Sequence, residues 1–269
     1  MNQMFEYGAE LAYSLVPVAA VFIAVAIAAK REAVWAAFER CKDEFITNLG
    51  LVLLNAIVLA PVLVLPARAF HAQLDAIPGM AAIWQHAPWG ITLLAALLIN
   101  ELAVYWRHRS EHSGLMWRFH ATHHADEAMH WLSVMRKHPV SRAFGLVFDA
   151  SLLLLLGLPV WAIGASAVIR SWWGYFIHAD LPWTLGPLGV VMISPAAHRL
   201  HHARDVALSG SNFGGLFTVW DRLFGTYVAP HAYLDCETGI DEGTRSFLGE
   251  LCRPFEGLTI FSRFRRKTA

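Results

Sequence analysis

Three long apolar runs, separated by polar stretches, dominate the first hundred residues of the 269-residue chain. They cover residues 11–29, 46–66 and 89–106, and each is close to the ~20 apolar residues that a helix needs to cross a bilayer. The pattern predicts three membrane-spanning helices. We expect a kink in the second at Pro61, because proline lacks the N–H that continues a helix.

A fourth apolar run, residues 143–169, is interrupted near its centre by Gly157 and Pro159. A straight helix does not place these two residues at its midpoint. The run therefore predicts a broken helix or a hairpin that returns the chain to the side it left. The sequence indicates about four transmembrane helices in total.

Basic residues are unevenly distributed between the loops. The loop at residues 30–45 has four, whereas the loop at residues 67–88 has only Arg68. Because positive charge marks the cytoplasmic side, we expect the first loop inside and the N-terminus outside. The third helix then delivers the chain after residue 106 to the cytoplasm, and the basic tail at residues 263–269 lies on the same side. The sequence therefore predicts a multi-pass membrane protein.

The composition supports a membrane protein and excludes some functions. Charged residues make up 16% of the chain, below the ~25% of soluble domains, and the mean hydropathy is +0.43. The formal net charge is zero, so no nucleic-acid partner is indicated. The cysteines Cys41, Cys236 and Cys252 have neither zinc-site nor disulfide-framework spacing, and we expect free thiols.

Histidines are concentrated in one part of the chain. Eleven of the fourteen lie between residues 108 and 202. Residues three and four apart share one face of a helix, so each group presents its rings together. The three groups are His108 and His112; His120, His123 and His124; and His198, His201 and His202.

Eight neutral imidazoles in this arrangement suit metal binding. Imidazole serves zinc, copper, iron and nickel, and eight ligands exceed the four of one tetrahedral ion. The groups therefore predict a site for two metal ions. The alternative, solvated helix faces or core histidines bonded to the backbone, applies more readily to a single histidine than to three groups.

The ordered motifs resemble the fatty acid hydroxylase / sterol desaturase superfamily of integral-membrane di-iron oxygenases. The resemblance covers roughly residues 98–229. It depends on HRSEH (108–112), HATHH (120–124), WLSVMRKHP (131–139), HRLHH (198–202), NFGGLF (212–217) and WDRLFGTY (220–227). It implies an all-α integral membrane protein, with a helical cytosolic cap that holds a histidine-rich dimetal site.

Residue by residue, the resemblance implies that the eight histidines of the three groups are metal ligands. It adds His178 and His138 as possible further ligands. Glu101 stands where relatives commonly have aspartate, two helical turns before His108, and we expect it to accept the free ring N–H of a ligand. His130 stands where many relatives have asparagine, and a hydrogen bond to a ligand or water is expected. In the last motif, Trp220 and Phe224 are expected to anchor the cap, and Asp221 and Arg222 to pair with a ligand-bearing helix.

The same resemblance implies three regions and a chemistry. Residues 1–97 would form N-terminal helices, 98–229 the catalytic domain and 230–269 a cytosolic tail. Two iron ions would be the cofactor, with zinc possible in purified protein. The implied reaction is hydroxylation of a fatty acyl, sterol or related lipid with dioxygen, and desaturation is the alternative. Since the sequence contains no iron–sulfur, Rossmann or haem-domain motif, a separate ferredoxin or b-type cytochrome with its reductase would supply electrons.

A rival interpretation comes from HRSEH alone. His108 and His112 with Glu111 between them also match the H-x-x-E-H pattern of zinc peptidases, in which the glutamate is the general base. That hypothesis leaves both HxxHH triplets without a role. Substrate, electron donor and oligomeric state are not determined by the sequence.

Overall fold

The computed structural model describes residues 2–256. These residues are helical with no β-strand, and only two isolated bridges join extended segments. The predicted all-α class is confirmed. The basic tail at residues 263–269 lies outside the described residues. The three cysteines are free thiols, as expected.

Within the described residues, six longer helices form the bundle, and six shorter ones connect or cover it. The longer helices are α1 (Asn2–Lys30), α2 (Val34–Leu53), α3 (Ala60–His71), α5 (Trp89–Glu111), α7 (Pro139–Leu155) and α8 (Val160–His178). The shorter ones are α4 (Met80–His86), α6 (Gly114–His124), α9 (Pro195–His201), α10 (Val206–Ser209), α11 (Val219–Leu223) and α12 (Phe247–Cys252).

The second apolar run is irregular just before Pro61. A π-helical turn, Leu54–Leu59, joins α2 to α3. The missing N–H and the ring of Pro61 prevent a regular α-helix at this point, so the preceding turn widens. Asn55 in this turn donates from its side-chain amide to the carbonyls of Leu51 and Lys137, at 2.9 Å each. The turn is thereby tied to the segment that precedes α7.

The fourth apolar run is broken, as its sequence predicts. Helix α7 ends at Leu155 and α8 begins at Val160, and Gly157 between them has a φ of +65°. A Cβ at Gly157 would lie 2.8 Å from the backbone nitrogen of Ala81, so the turn packs closely on α4. Both α7 and α8 pack against α5.

The ends of the long helices meet at two opposite sites. At one end, Ile77 donates to the carbonyl of Leu155 and the Trp84 indole donates to that of Leu156, both at 2.8 Å. At the other end, Lys30 pairs with Asp180 at 2.7 Å, two residues after α8 ends. The end that contains Lys30 also contains the clustered histidines.

Two continuous helical stretches are long and apolar enough to cross a membrane, Leu11–His71 and Trp89–Glu111. Large apolar side chains lie exposed on the first stretch, among them Tyr13, Val16, Val62 and Leu65. Exposed apolar surface of this extent is typical of lipid contact. The structure is therefore that of a membrane protein.

Arg136 fixes the covering segments to the bundle. Its side chain is completely buried and donates to Glu44 of α2 at 2.6 Å, to Glu250 of α12 at 2.7 Å and to the carbonyl of Thr122 in α6 at 2.7 Å. Three elements far apart in sequence are thus joined through one guanidinium. Since α6 carries three of the clustered histidines, this network positions the site.

Candidate metal centre

Nine histidines converge into two adjacent groups. In each group the nearest ring nitrogens all lie within 4.8 Å of one another. The five-histidine group contains His108, His112, His120, His124 and His201, and the four-histidine group contains His123, His178, His198 and His202. The structure thus brings together all eight histidines of the three sequence groups, and adds His178.

Each HxxHH triplet divides between the two groups. His120 and His124 belong to the five-histidine group, whereas His123 belongs to the other. In the second triplet the pattern is reversed, since His198 and His202 lie together and only His201 joins the five-histidine group. Neighbouring residues on a helix point about 100° apart, and the two adjacent histidines of each triplet lie in different groups. Each triplet therefore contributes to both groups.

Local sequence explains where the short helix α9 begins. Ser194 accepts a hydrogen bond from the backbone N–H of Ala197 at 3.1 Å, and Pro195 occupies the first turn. Serine is a favoured N-cap and proline a favoured first residue of a helix. The start of α9 places His198 one turn later, beside His178 at the end of α8. Their Nε2 atoms are 3.0 Å apart.

Backbone carbonyls fix the orientation of several rings. The Nδ1 atom lies 2.8 Å from the Phe213 carbonyl in His108, and 2.7 Å from the Ser211 carbonyl in His201. His178 makes the same contact with Gly174 at 2.7 Å. A carbonyl oxygen only accepts, so Nδ1 carries the proton and Nε2 presents a lone pair. These rings are oriented as metal ligands are.

In two pairs of rings the facing nitrogens carry no proton, so they cannot form a hydrogen bond with each other. The Nε2 atoms of His108 and His201 are 3.0 Å apart, and those of His178 and His123 are 3.4 Å apart. Within residues 2–256, other ring nitrogens of the two groups have no hydrogen-bond partner: Nε2 of His112, His120 and His124, Nδ1 of His198, and both ring nitrogens of His202. Buried polar atoms are normally satisfied. Nitrogens bound to one ion at about 2.1 Å are about 3 Å apart when adjacent, so these spacings fit a metal.

The two histidine groups are in direct contact through one pair of stacked rings. The rings of His124 and His202 are stacked with centroids 4.3 Å apart and planes 17° apart, and each belongs to a different group. Five imidazoles in one group and four in the other are a suitable ligand set for two neighbouring metal ions. Burial also lowers the pKa of both rings well below 6.5, with further lowering by the nearby imidazoles. At neutral pH the rings are therefore uncharged, the state in which imidazole binds metal.

Glu101 acts on the loop that orients His108, and not on the ring itself. Its carboxylate accepts from the backbone N–H groups of Gly215, Leu216 and Phe217 at 3.0, 2.6 and 3.3 Å, and it pairs with Arg170. The expectation that Glu101 takes the free N–H of a ligand is therefore wrong. The reason is that this N–H is already donated to the carbonyl of Phe213.

Asp221 holds the other side of the same loop. Its carboxylate accepts from the backbone N–H groups of Phe213 and Gly214 and from the Thr226 hydroxyl, each at 2.7 Å. A Cβ at Gly214 would lie 2.5 Å from the Phe217 carbonyl, so only glycine fits there. Asp221 was expected to pair with a ligand-bearing helix, and it binds this loop instead.

The remaining aromatic and basic residues of WDRLFGTY have structural contacts. Phe224 stacks on Tyr105 of α5 with centroids 5.2 Å apart, and Trp220 stacks on Phe224 at 6.3 Å. Arg222 donates to the carbonyl of Val190 at 3.1 Å rather than to a helix with a clustered histidine. The motif thus anchors the loop to the helix that carries His108.

His138 and His130 lie outside both groups. His138 caps α7 by accepting from the Val140 N–H at 3.2 Å, and its Nε2 lies 3.3 Å from the Leu251 carbonyl. His130 accepts from the Leu132 N–H at 3.3 Å and lies 3.1 Å from the Asn48 amide. Both rings are occupied by structural contacts. The structure gives no ligand role to His138, and none of these contacts joins His130 to a clustered histidine.

The surroundings of Glu111 differ from those of a peptidase base. Its carboxylate pairs with Arg107 at 2.6 Å and lies 3.5 Å from Nδ1 of His120. His108 and His112 belong to a five-ring group rather than to a site with two histidines. The carboxylate is thus engaged by a guanidinium, and the pattern HRSEH does not form an isolated zinc site.

The sequence matches the fatty acid hydroxylase family over residues 93–226. Ornithine lipid hydroxylase OlsE of Rhizobium tropici is 29% identical over 193 residues, which cover 71% of this chain and 56% of that protein. Alkylglycerol monooxygenase of Homo sapiens is 30% identical over 53% of this chain and 32% of its own length. Delta(7)-sterol 5(6)-desaturase ERG3A of Gibberella zeae is 27% identical over 66% of this chain and 49% of its own length.

The helical architecture and the two histidine groups define a membrane protein with a buried, histidine-rich candidate metal site. Residues 93–226 belong to the fatty acid hydroxylase family, and the resemblance seen in the sequence is confirmed. The chain spans from about a third to just over half of the length of these relatives. No solved structure matches the chain at a significant level.

Proposed function

We propose that the protein is a membrane-bound di-iron oxygenase that hydroxylates a lipid. The observation that carries the proposal is the pair of buried histidine groups, in which several ring nitrogens lack hydrogen-bond partners. The five-histidine and four-histidine groups would each hold one ion. Iron is proposed because the chain belongs to the fatty acid hydroxylase family, although the same imidazoles also suit zinc.

A bound iron pair supplies the redox chemistry that activates dioxygen for attack on an unreactive C–H bond. In the hydroxylation, one oxygen atom enters the product and the other leaves as water, with two electrons and two protons from outside. The residues of the chain hold the imidazole rings in position and exclude water from the site. Glu101 and Asp221 hold the loop that orients His108, and burial keeps the rings neutral.

A lipid substrate is supported by the position of the groups and by the relatives. The helix that carries His108 is long and apolar enough to cross a membrane, so the apolar part of a substrate can remain among the helices. The relatives are named as an ornithine lipid hydroxylase, an alkylglycerol monooxygenase and a sterol desaturase. Desaturation is therefore the second candidate, favoured by the sterol desaturase alone.

The proposed topology has about four spans, with α7 and α8 forming the fourth as a hairpin. The histidine groups would lie on the cytoplasmic side, in a cap formed by part of the catalytic region at residues 98–229. The basic loop at residues 30–45 supports this orientation. A separate ferredoxin or b-type cytochrome with its reductase would deliver the electrons.

The test uses the full chain, purified, loaded with iron and supplied with reductant, isotopically labelled dioxygen and a broad lipid extract. Hydroxylation gives a product that carries one labelled oxygen atom, whereas desaturation gives an unlabelled product two hydrogens lighter. His124→Ala should abolish either product, and His138→Gln should retain it. Failure of the iron-loaded protein to form any product from fatty acyl, sterol or polar lipid pools would contradict the proposal.

Glu111→Gln separates the oxygenase from the zinc peptidase. A peptidase that uses this carboxylate as its base loses nearly all activity on the change to the amide. An oxygenase retains most of its activity, since the amide oxygen still accepts from Arg107. Peptide hydrolysis by the wild type that disappears in this variant would favour the peptidase.

A further inference from the structure

A groove runs along the face of α1 and α2, and its polar end lies beside the end of α8 that carries His178. The two helices form an apolar groove of about 770 Å³, within the range of 300–1,000 Å³ typical of ligand pockets. Its floor is formed by residues 127–132 and 179–181. None of the nine clustered histidines lines it. The groove is therefore distinct from the proposed metal centre.

The lining of the groove is polarised along α1. From Leu15 to Ile27 every lining residue of this helix is apolar. Three of the charged lining residues, Lys30, Asp180 and Arg199, lie together at its far end. Leu15 and Lys30 are separated by about 22 Å of helix, more than the ~15 Å of hydrocarbon in one leaflet. An amphiphile with one extended chain and a polar head matches this shape.

Positive charge at the polar end is not fully compensated. Asp180 is shared between Lys30 at 2.7 Å and Arg199 at 3.2 Å, and Glu127 is engaged by Arg204 at 2.9 Å. Arg40 also lines the groove, and within residues 2–256 it has no ion pair or hydrogen bond. Arg40 is therefore the basic lining residue that is available to an anion.

We propose that the groove binds a membrane phospholipid with an acidic head group. One of its two acyl chains would lie along α1 from Ile27 to Leu15, and its phosphate would contact Arg40 and Lys30. A phosphate is favoured over a single carboxylate because several cations surround the end of the groove, and phosphate oxygens accept from several donors at once. Exposed Trp35 and Phe38 on the adjoining turn place aromatic rings at the depth of lipid head groups.

The experiment uses the full chain in discs of phosphatidylcholine that contain a small fraction of phosphatidylglycerol with a photoreactive group in its acyl chain. Crosslinked peptides should map to residues 15–27 and 34–49. Unlabelled phosphatidylglycerol should compete, and phosphatidylcholine should not. Equal competition by phosphatidylcholine, stronger competition by a free fatty acid, or labelling spread evenly over all exposed helices would overturn the proposal.

Two pairs of variants distinguish a specific lipid site from nonspecific electrostatic attraction of lipid to the protein surface. Arg40→Glu should lower labelling about tenfold, as loss of a charge-assisted contact predicts. Arg31→Glu is the matched control, since Arg31 is exposed next to Lys30 in the chain but does not line the groove. An equal effect of both changes would show that surface charge alone attracts the lipid, and would overturn the proposal.

The second pair of variants tests the apolar part of the groove. Ala26→Trp fills the groove and should abolish labelling, whereas Ala24→Trp, on the exposed side of the same helix, should not. All variants are compared at equal metal content, which shows that the fold is intact. Because no clustered histidine lines the groove, lipid binding and lipid oxidation can fail independently. Labelling of the Ala26→Trp protein at the wild-type level would overturn the proposal.

Discussion

The Nε2 atoms of His108 and His201 lie 3.0 Å apart, although the two residues are 93 positions apart in sequence. Each ring places its Nδ1 atom against a backbone carbonyl, so both facing nitrogens are acceptors. Without a cation between them the contact is unfavourable. A metal ion would convert it into a bond between α5 and α9, so metal binding and folding are coupled at this site.

The first prediction concerns the pH dependence of the metal-free protein. Burial lowers the pKa of His201 to about 4, from 6.5 in the unfolded chain. The unfolded ring therefore takes up a proton at higher pH than the folded ring, and its contribution to stability is fully present above pH 6.5. As the pH falls from 6.5 to about 4 this contribution is lost. The Tm of chelator-treated protein should fall over this interval, and a constant Tm would contradict the account.

The second prediction concerns Glu101, whose carboxylate holds the loop that orients His108. In Glu101→Gln the neutral amide accepts more weakly from three backbone N–H groups and leaves Arg170 without its counter-charge. Loss of such an outer contact should weaken metal binding by about 10–100-fold, measured by competition with a chelator. Glu127→Gln is the control, because that carboxylate is exposed and pairs with Arg204. Equal affinity in both variants would show that the loop does not influence the metal.

The third prediction concerns Gly214. Alanine would place its Cβ 2.5 Å from the Phe217 carbonyl and 2.8 Å from the Asp221 carboxylate, so the loop must shift. Gly214→Ala should therefore lose metal and activity together, as measured by metal content per chain and product formed. Gly90→Ala is the matched control, since nothing lies within 4 Å of its added methyl group. Full metal content in Gly214→Ala would refute this role of the loop.

Much of the fold follows from local sequence. Long apolar runs and the break at Gly157 and Pro159 predict the main helices, since helix length and proline geometry are local properties. The irregularity near Pro61 is predicted for the same reason, although its form as a π-helical turn before the proline is not. The HxxHH spacing also predicts that the rings approach one another.

The division of the rings between two groups is less evident from the sequence. It could have been found, because His123 and His124 are neighbours on a helix and must point about 100° apart. The loop that orients His108 and His201 could not have been identified from the sequence. It acts through the backbone carbonyls of Phe213 and Ser211, and every residue has such a carbonyl. His138 matched a family position, yet the tertiary contact with Leu251 and the start of α7 determine its role.

The fourth prediction concerns Arg136. Arg136→Met removes the only guanidinium that contacts both Glu44 and Glu250 in the described part of the chain. Breaking buried ion pairs from one side typically costs about 3–5 kcal/mol, so the Tm in detergent should fall strongly. Arg204→Met is the control, because its pairs are exposed and worth about 1 kcal/mol or less. Similar Tm values for the two variants would show that Arg136 does not stabilise the covering segments.

The metal content per chain shows whether the two histidine groups hold two metal ions. The full chain expressed with iron should contain two ions, as should His138→Gln. His198→Ala leaves only three histidines in its group, and the content should fall to about one ion while the five-histidine group remains occupied. A wild-type content of one ion or none, or two ions retained in His198→Ala, would contradict the account.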